Sequence, residues 1–191
     1  QIDNRVRAAV ATIVGSLGDA REISPLLRLN VRREEDSRVY RSVITALGKL
    51  GERTVASKLL TWVESGEKKA RPEADDGSIG DREITVAERL NILDALLRLY
   101  ILERLEEKYY FKLFEQLLLF AQSEQTEKEI RQQALFMLPQ CIRGDAERKQ
   151  VEQLLTRLLH DPEVFDDAHR ALWVMRRNWS VDPVEIPIVR S

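Results

Sequence analysis

The sequence predicts an all-α fold, an α-solenoid in which antiparallel helix pairs stack on one another. Three observations predict it: a motif that recurs 33 residues later, apolar residues spaced three and four apart, and few turn-forming or aromatic residues. The 191 residues contain only 8 Gly and 6 Pro, 43% are hydrophobic and 6% are aromatic. This balance disfavours a β-sheet protein, and the chain is long enough to bury a core.

The strongest signal is the motif near the start of the chain. Residues 3–18 and 36–51 are identical at 8 of 16 positions. The identical pairs are Asp3/Asp36, Arg5/Arg38, Val6/Val39, Val10/Val43, Thr12/Thr45, Gly15/Gly48, Leu17/Leu50 and Gly18/Gly51. A fixed period of this length is typical of repeat proteins, in which each unit buries its apolar face only against its neighbours.

Each copy of the motif carries its own helix signals. Asp3 and Asp36 are predicted N-caps, because a carboxylate can accept a hydrogen bond from the unpaired backbone N–H groups of a helix start. Gly15 and Gly48 lie inside the last turn of each predicted helix, and we expect a neighbouring helix to approach closely there.

An apolar stripe follows each predicted N-cap, and its spacing predicts one buried face per helix. The stripe residues are Val6, Val10, Ile13, Val14 and Leu17 in the first copy and Val39, Val43, Ala46, Leu47 and Leu50 in the second. Later segments keep the register, since Ile130, Ala134 and Leu138 lie 34 residues before Val164, Ala168 and Leu172. Asp161 is the predicted N-cap of the last helix, with Pro162 in its first turn.

These signals predict about nine helices, arranged as a lone helix followed by four pairs. The predicted helices are 4–17, 20–31, 37–50, 53–64, 84–104, 107–122, 127–142, 146–159 and 163–178.

The pattern Asp-x-x-Val-(Arg)-x-Ala-x-x-x-Leu-Gly-x-Leu-Gly resembles the HEAT-like repeats of the type first named from phycobilisome lyases. The resemblance is specific over residues 3–63 and rests mainly on spacing from 84 to 178. It implies a right-handed solenoid whose second helices line the concave side. In that family an arginine after the motif valine forms a ladder between repeats; this chain has Arg7 there in the first copy and Tyr40 in the second.

The predicted organisation is a solenoid over residues 1–178 and an extended tail over residues 179–191. A loop insertion at 65–82 interrupts the solenoid, with three glycines, one proline and a basic half followed by an acidic half. It is either a flexible solvated loop or a loop that contacts a partner. Pro183 and Pro187 exclude a helix in the tail, and the Val184–Val189 stretch is predicted to lie back over the last helix pair or to dock elsewhere.

Charge is distributed unevenly along the chain, whose net charge is −2. Residues 1–60 hold 11 Lys and Arg against 7 Asp and Glu, and the remainder holds 19 against 25. The basic residues of this first part either lie at a solvated turn and support helix ends, or they form a patch for an acidic partner. Repeat geometry places the candidate partner-binding residues on the outward side of their helices: Arg5, Thr12, Arg38, Arg41, Thr45 and Lys49.

Catalytic signals are weak. His160 and His169 have no His or Cys at helical spacing that would complete a metal site. Asp75-Asp76-Gly77-Ser78 lacks the alternating oxygen ligands of a calcium loop, and the single Cys141 is predicted to be a core residue. The sequence therefore predicts no catalytic residues, metal or cofactor, and the single cysteine indicates the reducing cytoplasm. No apolar run approaches the ~20 residues that span a membrane.

The function that these observations favour is a non-catalytic scaffold or adaptor that binds another protein, one with an acidic surface. Because the chain opens at Gln1 rather than Met, we expect it to be the sensor or regulatory part of a larger protein. Two alternatives remain: a HEAT-like module that binds nucleic acid, which the acidic remainder disfavours, and an accessory subunit of a bilin-lyase-like enzyme.

Overall fold

The computed structural model describes residues 3–17, 36–50, 55–65 and 84–179, and these ranges are predominantly helical. They contain eight α-helices and one 3₁₀ turn, and no β-strand occurs among them. The helices are α1 (Asn4–Leu17), α2 (Ser37–Leu50), α3 (Val55–Ser65), α4 (Val86–Ile101), α5 (Glu107–Gln122), α6 (Lys128–Met137), α7 (Asp145–Leu158) and α8 (Phe165–Trp179). The all-α prediction is confirmed.

Three predictions fall on residues that the structure does not describe. These are the helix at 20–31, the insertion at 65–82 beyond its first residue, and the tail after Trp179. Among the described helices, none is both long and apolar enough to cross a lipid bilayer.

Two helices end earlier than predicted. The helix predicted to reach residue 104 ends at Ile101, because Glu103 adopts a positive φ of 56° and the Arg104 N–H turns back to the Leu99 carbonyl at 2.8 Å. The helix predicted over 127–142 ends at Met137 and continues only as the 3₁₀ turn Leu138–Gln140. Pro139 lies in that turn and has no N–H to continue the α-helical pattern.

The last helix begins later than predicted. Regular helix starts at Phe165, and residues 162–164 form a turn. Asp161 still receives a backbone hydrogen bond, from the Glu163 N–H at 3.0 Å, so it caps the turn rather than the helix. Asp3 and Asp36 do cap their helices, because they accept from the N–H groups of Arg5 at 2.7 Å and Arg38 at 2.9 Å.

The helices form two compact units, Gln1–Gln116 and Leu117–Ser191, and the boundary falls within α5. In the first unit α1 packs on α2, α2 packs on α4, and α3 also packs on α4. Its core side chains are fully buried and mostly aliphatic, and each stabilises the fold by ~1.5–3 kcal/mol. They include Val39, Val43, Ile44, Leu47, Leu59, Ile92, Leu93 and Leu96.

The two motif glycines lie where these helices approach most closely. A Cβ atom on Gly15 would lie 2.5 Å from the Ala46 Cα, and one on Gly48 would lie 2.9 Å from the Ala95 Cα. Any side chain would therefore overlap backbone atoms of the neighbouring helix. The expectation of a close helix approach at both glycines is confirmed.

The apolar stripe predicted for α1 is not buried. Val6, Val10 and Ile13 are about half exposed and Leu17 is more exposed still. The buried side of α1 carries Ala11 and Gly15 instead, and Gly15 is the residue that faces α2. The equivalent stripe in α2 is buried except for half-buried Leu50, because α2 is packed between α1 and α4.

In the second unit α6 and α7 both pack on α8, and the 3₁₀ turn packs on α7 and α8. The residues that the register placed in the core are buried here: Ile130, Ala134, Leu138, Val164, Ala168 and Leu172. Cys141 is also buried. Trp173 does not belong to this core, since it is 44% exposed and lies under the Arg177 guanidinium.

Candidate functional site

Each compact unit has its own candidate binding surface on the outward side of its motif helices. These are α1 and α2 in the first unit and α6 and α8 in the second, which follow the cap residues Asp3, Asp36, Glu127 and Asp161. We define the outer positions as the fifth, ninth and thirteenth residues after each cap, which lie on one face of a helix. These are Ala8, Thr12 and Ser16; Arg41, Thr45 and Lys49; Gln132, Phe136 and Gln140; and Asp166, Arg170 and Val174. None of these twelve side chains is buried.

The candidate residues of the first unit lie on α1 and α2. Arg5, Thr12, Arg38, Arg41 and Lys49 are exposed, and Thr45 is half-buried. On α2 the four candidates are three or four residues apart, so they share one face of the helix. Because α1 packs on α2, the structure brings the two sets of side chains into the same compact unit.

Arg38 is held by a local carboxylate. The Arg38 guanidinium lies 3.3 Å from the Asp36 carboxylate and, with the backbone N–H groups of α2, lowers the pKa of Asp36 to about 2. Arg38 therefore helps to fix the start of α2 as well as adding surface charge. Asp36 also accepts a hydrogen bond from the Asn4 side chain at 3.1 Å, which links the starts of α1 and α2.

The hydroxyl groups on α1 are directed to their own backbone. The Thr12 Oγ1 donates to the Ala8 carbonyl at 2.9 Å, and the Ser16 Oγ donates to the Thr12 carbonyl at 2.9 Å. Each hydroxyl has one proton to donate, and that proton is used within the helix. The binding potential of this face therefore lies in its arginines and lysine.

In the second unit the outer positions line a groove of about 350 Å³ between α6, the 3₁₀ turn and α8. Its apolar lining comes from Phe136, Pro139, Ala171 and Val174. Its polar lining comes from Gln132, Gln140, Asp167, Arg170 and Asn178. The Gln132 side-chain amide donates to the Asp167 carboxylate at 2.7 Å and so ties the two helices together at one end.

Phe136 is the most conspicuous side chain of this groove. It is 60% exposed, although a phenylalanine gains more than most residues from burial. Counted from the cap residue, it occupies the same position as Thr45 does on α2. Its register position could have identified it, although the predicted site residues all lie within the first 60 residues.

A buried arginine of α6 joins that helix to the turn before α8. The Arg131 side chain is 1% exposed and binds two carboxylates, Asp161 at 2.5 Å and Glu163 at 2.6 Å. Its Nε also donates to the Ala121 carbonyl at 3.5 Å. This pairing lowers the pKa of Asp161 below its ordinary value, since an adjacent cation favours the charged carboxylate.

Arg131 follows Ile130 and occupies the same register position as Arg7, four residues after the cap. Arg7 donates to the side-chain Oδ1 of Asn4 at 3.2 Å, and the Asn4 side-chain Nδ2 in turn donates to the Asp36 carboxylate. In both units this position is therefore connected to the aspartate that opens the next motif. Arg131 was not among the predicted site residues, but the register shared by Val6 and Ile130 points to it.

The remaining clefts offer little chemistry. One of about 440 Å³ is lined by Glu124, Arg157, His160, Asp161 and Pro162 among others, and His169 stacks on Phe165 with ring centroids 6.2 Å apart. Within the described ranges no three His, Cys, Asp or Glu side chains are grouped to hold a metal ion. Burial raises the pKa of the Cys141 thiol to about 12, which disfavours the nucleophilic thiolate.

No protein-family model matches this sequence, and a search of curated proteins finds no match.

Proposed function

We propose that the chain is a non-catalytic scaffold or adaptor that binds another protein through the outer positions of its motif helices. The observation that carries the proposal is that all twelve outer positions remain at least partly open to solvent, whereas the seventh residue after the cap is buried on three of the four helices, at Val43, Ala134 and Ala168. The first unit offers a cationic face there, and the second offers an apolar groove.

The proposal includes a HEAT-like α-solenoid as the architecture. Two features support it: the glycine of each of the first two motif helices meets an alanine of the next helix in the row, and Arg131 links its helix to the turn that precedes the next motif helix. A solenoid requires recurring contacts between consecutive repeats, because each repeat touches only its neighbours.

The partner that suits the first unit is a protein with an acidic surface. Arg5, Arg38, Arg41 and Lys49 are exposed on α1 and α2, and charge complementarity guides association and excludes partners of the same sign. Nucleic acid is the second candidate, because it too would be attracted to four exposed cations.

Charge reversal tests this proposal. We expect the double variant Arg41→Glu/Lys49→Glu to bind a short fluorescein-labelled Glu-rich peptide about tenfold more weakly than the wild type, which corresponds to ~1.4 kcal/mol. The matched control is Lys112→Glu/Lys128→Glu, which makes the same charge change at two exposed lysines of α5 and α6. Circular dichroism melts should be unchanged for both.

The same titration separates the two candidates. A labelled DNA duplex should bind more weakly than the peptide at physiological salt. Equal peptide affinity in both double variants would remove the cationic face as the binding surface. Tighter binding of the duplex, with an affinity that falls steeply with salt concentration, would favour the nucleic-acid function instead.

A further inference from the structure

The groove between α6 and α8 combines an apolar hollow with an exposed aromatic side chain. Phe136 is 60% exposed, whereas Pro139 and Ala171 of the same lining are buried and Val174 is half-buried. An exposed phenylalanine gains free energy when another surface covers it, and the hollow gains when an apolar side chain fills it. The groove therefore carries both halves of an apolar contact.

Arg170 is the cation of this lining, and no described carboxylate holds it. It is exposed and makes no ion pair with Asp166 or Asp167, which lie one turn before it. A guanidinium binds favourably over the face of an aromatic ring, as Arg177 does over Trp173 at 5.2 Å from the ring centroid. Within the described ranges no ring is paired with Arg170 in this way, so its guanidinium is available to an aromatic side chain outside its own chain.

The two sides of the groove run in the same direction. Gln132 is tied to Asp167 by a hydrogen bond of 2.7 Å, and later residues of both helices line the same groove. Phe136 lies four residues beyond Gln132, and Arg170 lies three beyond Asp167. At the rise of an α-helix both are ~5 Å from the tie. Phe136 and Arg170 therefore face each other at the same height on opposite sides of the groove.

This arrangement is self-complementary about a two-fold axis. An axis that passes between the two helices at that height places the α6 side of one copy over the α8 side of another. Phe136 of each copy then lies opposite Arg170 and Ala171 of the other, and the same contact is made twice.

A polar pair follows from the same axis. Gln140 comes opposite the start of α8, where Asp166 is exposed. The Gln140 amide donates one N–H to the Phe136 carbonyl at 2.9 Å, and it has a second N–H to donate. The carboxylate of Asp166 is an acceptor for that second N–H.

We propose that this groove is the interface of a two-fold symmetric homodimer, in which Phe136 of each copy packs against Arg170 and Ala171 of the other. The inference rests on the proposed function only for the groove, whose partner it names as a second copy of the chain. The cationic face on α1 and α2 takes no part in the dimer and stays open to another protein.

The size of the face makes this a weak dimer. On α8 the lining runs from Asp167 to Asn178, which is ~16 Å, and two helices side by side are ~20 Å wide. Such a face buries less than the ~1,600 Å² of a standard interface. We expect a dissociation constant of ~100 µM, in the range of transient complexes.

Sedimentation velocity of the full chain tests the dimer. The wild type should change from monomer to dimer between ~10 µM and ~500 µM, as mass action requires. Phe136→Arg should raise the dissociation constant at least about tenfold, because the symmetry doubles the loss and two like charges then meet at Arg170. The matched control is Phe165→Arg, at a phenylalanine of α8 that is 45% exposed and does not line the groove. It should dimerise as the wild type does.

A mixture of two variants tests the facing pair itself. Arg170→Glu alone should also dimerise at least about tenfold more weakly than the wild type, because it removes both cation–ring contacts. An equimolar mixture of Phe136→Arg and Arg170→Glu should dimerise at least about tenfold more tightly than either variant alone. One half of that interface then holds an ion pair, and the other half keeps the native contact between Phe136 and Arg170.

Three results would overturn the proposal. They are a wild type that stays monomeric up to ~500 µM, a Phe165→Arg control that weakens the dimer as much as Phe136→Arg does, and a mixture that associates no more than its components. Each would leave the peptide titration of the first unit unchanged, so the failure of the dimer and the failure of the proposed function can be told apart.

Discussion

The two compact units bring their motif helices together by different contacts. In the first unit Gly15 and Gly48 let the neighbouring helix approach until backbone atoms touch, and the contact depends on shape. In the second unit the equivalent helices are joined by Arg131, which binds Asp161 and Glu163 from a buried position. Close packing makes the first contact intolerant of added volume, whereas the second is intolerant of lost charge.

The same difference extends to the surfaces. Outer positions on α2 carry Arg41 and Lys49, and those on α6 and the following 3₁₀ turn carry Gln132, Phe136 and Gln140. One helix register thus presents a cationic face in the first unit and an apolar groove in the second. The comparison teaches that the outer positions of the register stay open in both units, while the side chains at those positions determine what each unit can bind.

The largest expected effect is the loss of the buried arginine. Arg131→Met should lower the free energy of unfolding by ~3 kcal/mol, the lower end for breaking a buried ion pair, because both carboxylates left behind are partly exposed and can be rehydrated. The loss in the free energy of unfolding is measured by urea unfolding monitored by circular dichroism. The control is Arg176→Met, which removes an exposed ion pair with Glu152 and should change the free energy of unfolding little.

The same variant should also lose part of the wild type's sensitivity to acid. Arg131 lowers the pKa of Asp161 in the folded protein, so below the ordinary value of 3.8 the unfolded chain binds a proton that the folded chain does not. That pair therefore stabilises the fold above this pH, and its contribution is lost as the pH falls through the lowered pKa. If the urea midpoint falls equally with decreasing pH in the wild type and in Arg131→Met, the pairing of Arg131 with Asp161 does not cause the acid sensitivity.

A smaller effect is expected from filling the glycine contact of the first unit. Gly15→Ala places a Cβ 2.5 Å from the Ala46 Cα, and overpacking at so short a distance costs ~2–3 kcal/mol, the upper part of the usual range. Alanine recovers ~1 kcal/mol through helix propensity, so the net loss in the free energy of unfolding should be ~1–2 kcal/mol. Gly48→Ala, with its closest atom at 2.9 Å, should lose less.

Gly144 supplies the matched control for these glycines. A Cβ there meets no atom within 4 Å, and Gly144 precedes α7 with an extended backbone that alanine also adopts. We expect Gly144→Ala to leave the unfolding midpoint nearly unchanged. A Gly15→Ala protein as stable as Gly144→Ala would mean that α1 and α2 are not in close contact.

Local signals predicted most of the described helices. The bounds of α5 were predicted as observed, and the two motif glycines were assigned to a close approach, because a glycine late in a helix has few other structural reasons to be there. The early ends of α4 and α6 depend on the backbone of Glu103 and on a 3₁₀ turn at Pro139. Tertiary packing selects such details, and a periodicity of apolar residues does not encode them.

The candidate surface was predictable in part. The α2 face follows from the motif, and the structure finds Arg41 and Lys49 exposed there. The groove of the second unit was not predicted, because a phenylalanine such as Phe136 is expected in the core, whereas Phe136 is exposed. The α1 stripe was assigned to the core for the same reason and is exposed, since periodicity shows which residues share a face and not which face is covered.

The central claim is that one helix register is used in both units and leaves its outer positions open. Thiol labelling of single-cysteine substitutions tests it most directly, because native Cys141 is buried. Substitutions at the ninth position, Thr45→Cys and Phe136→Cys, should label at least about tenfold faster than substitutions at the seventh position, Val43→Cys and Ala134→Cys, which label only through local opening. All four should label equally in urea. Equal rates for the two positions in the folded protein, in either unit, would contradict the shared register.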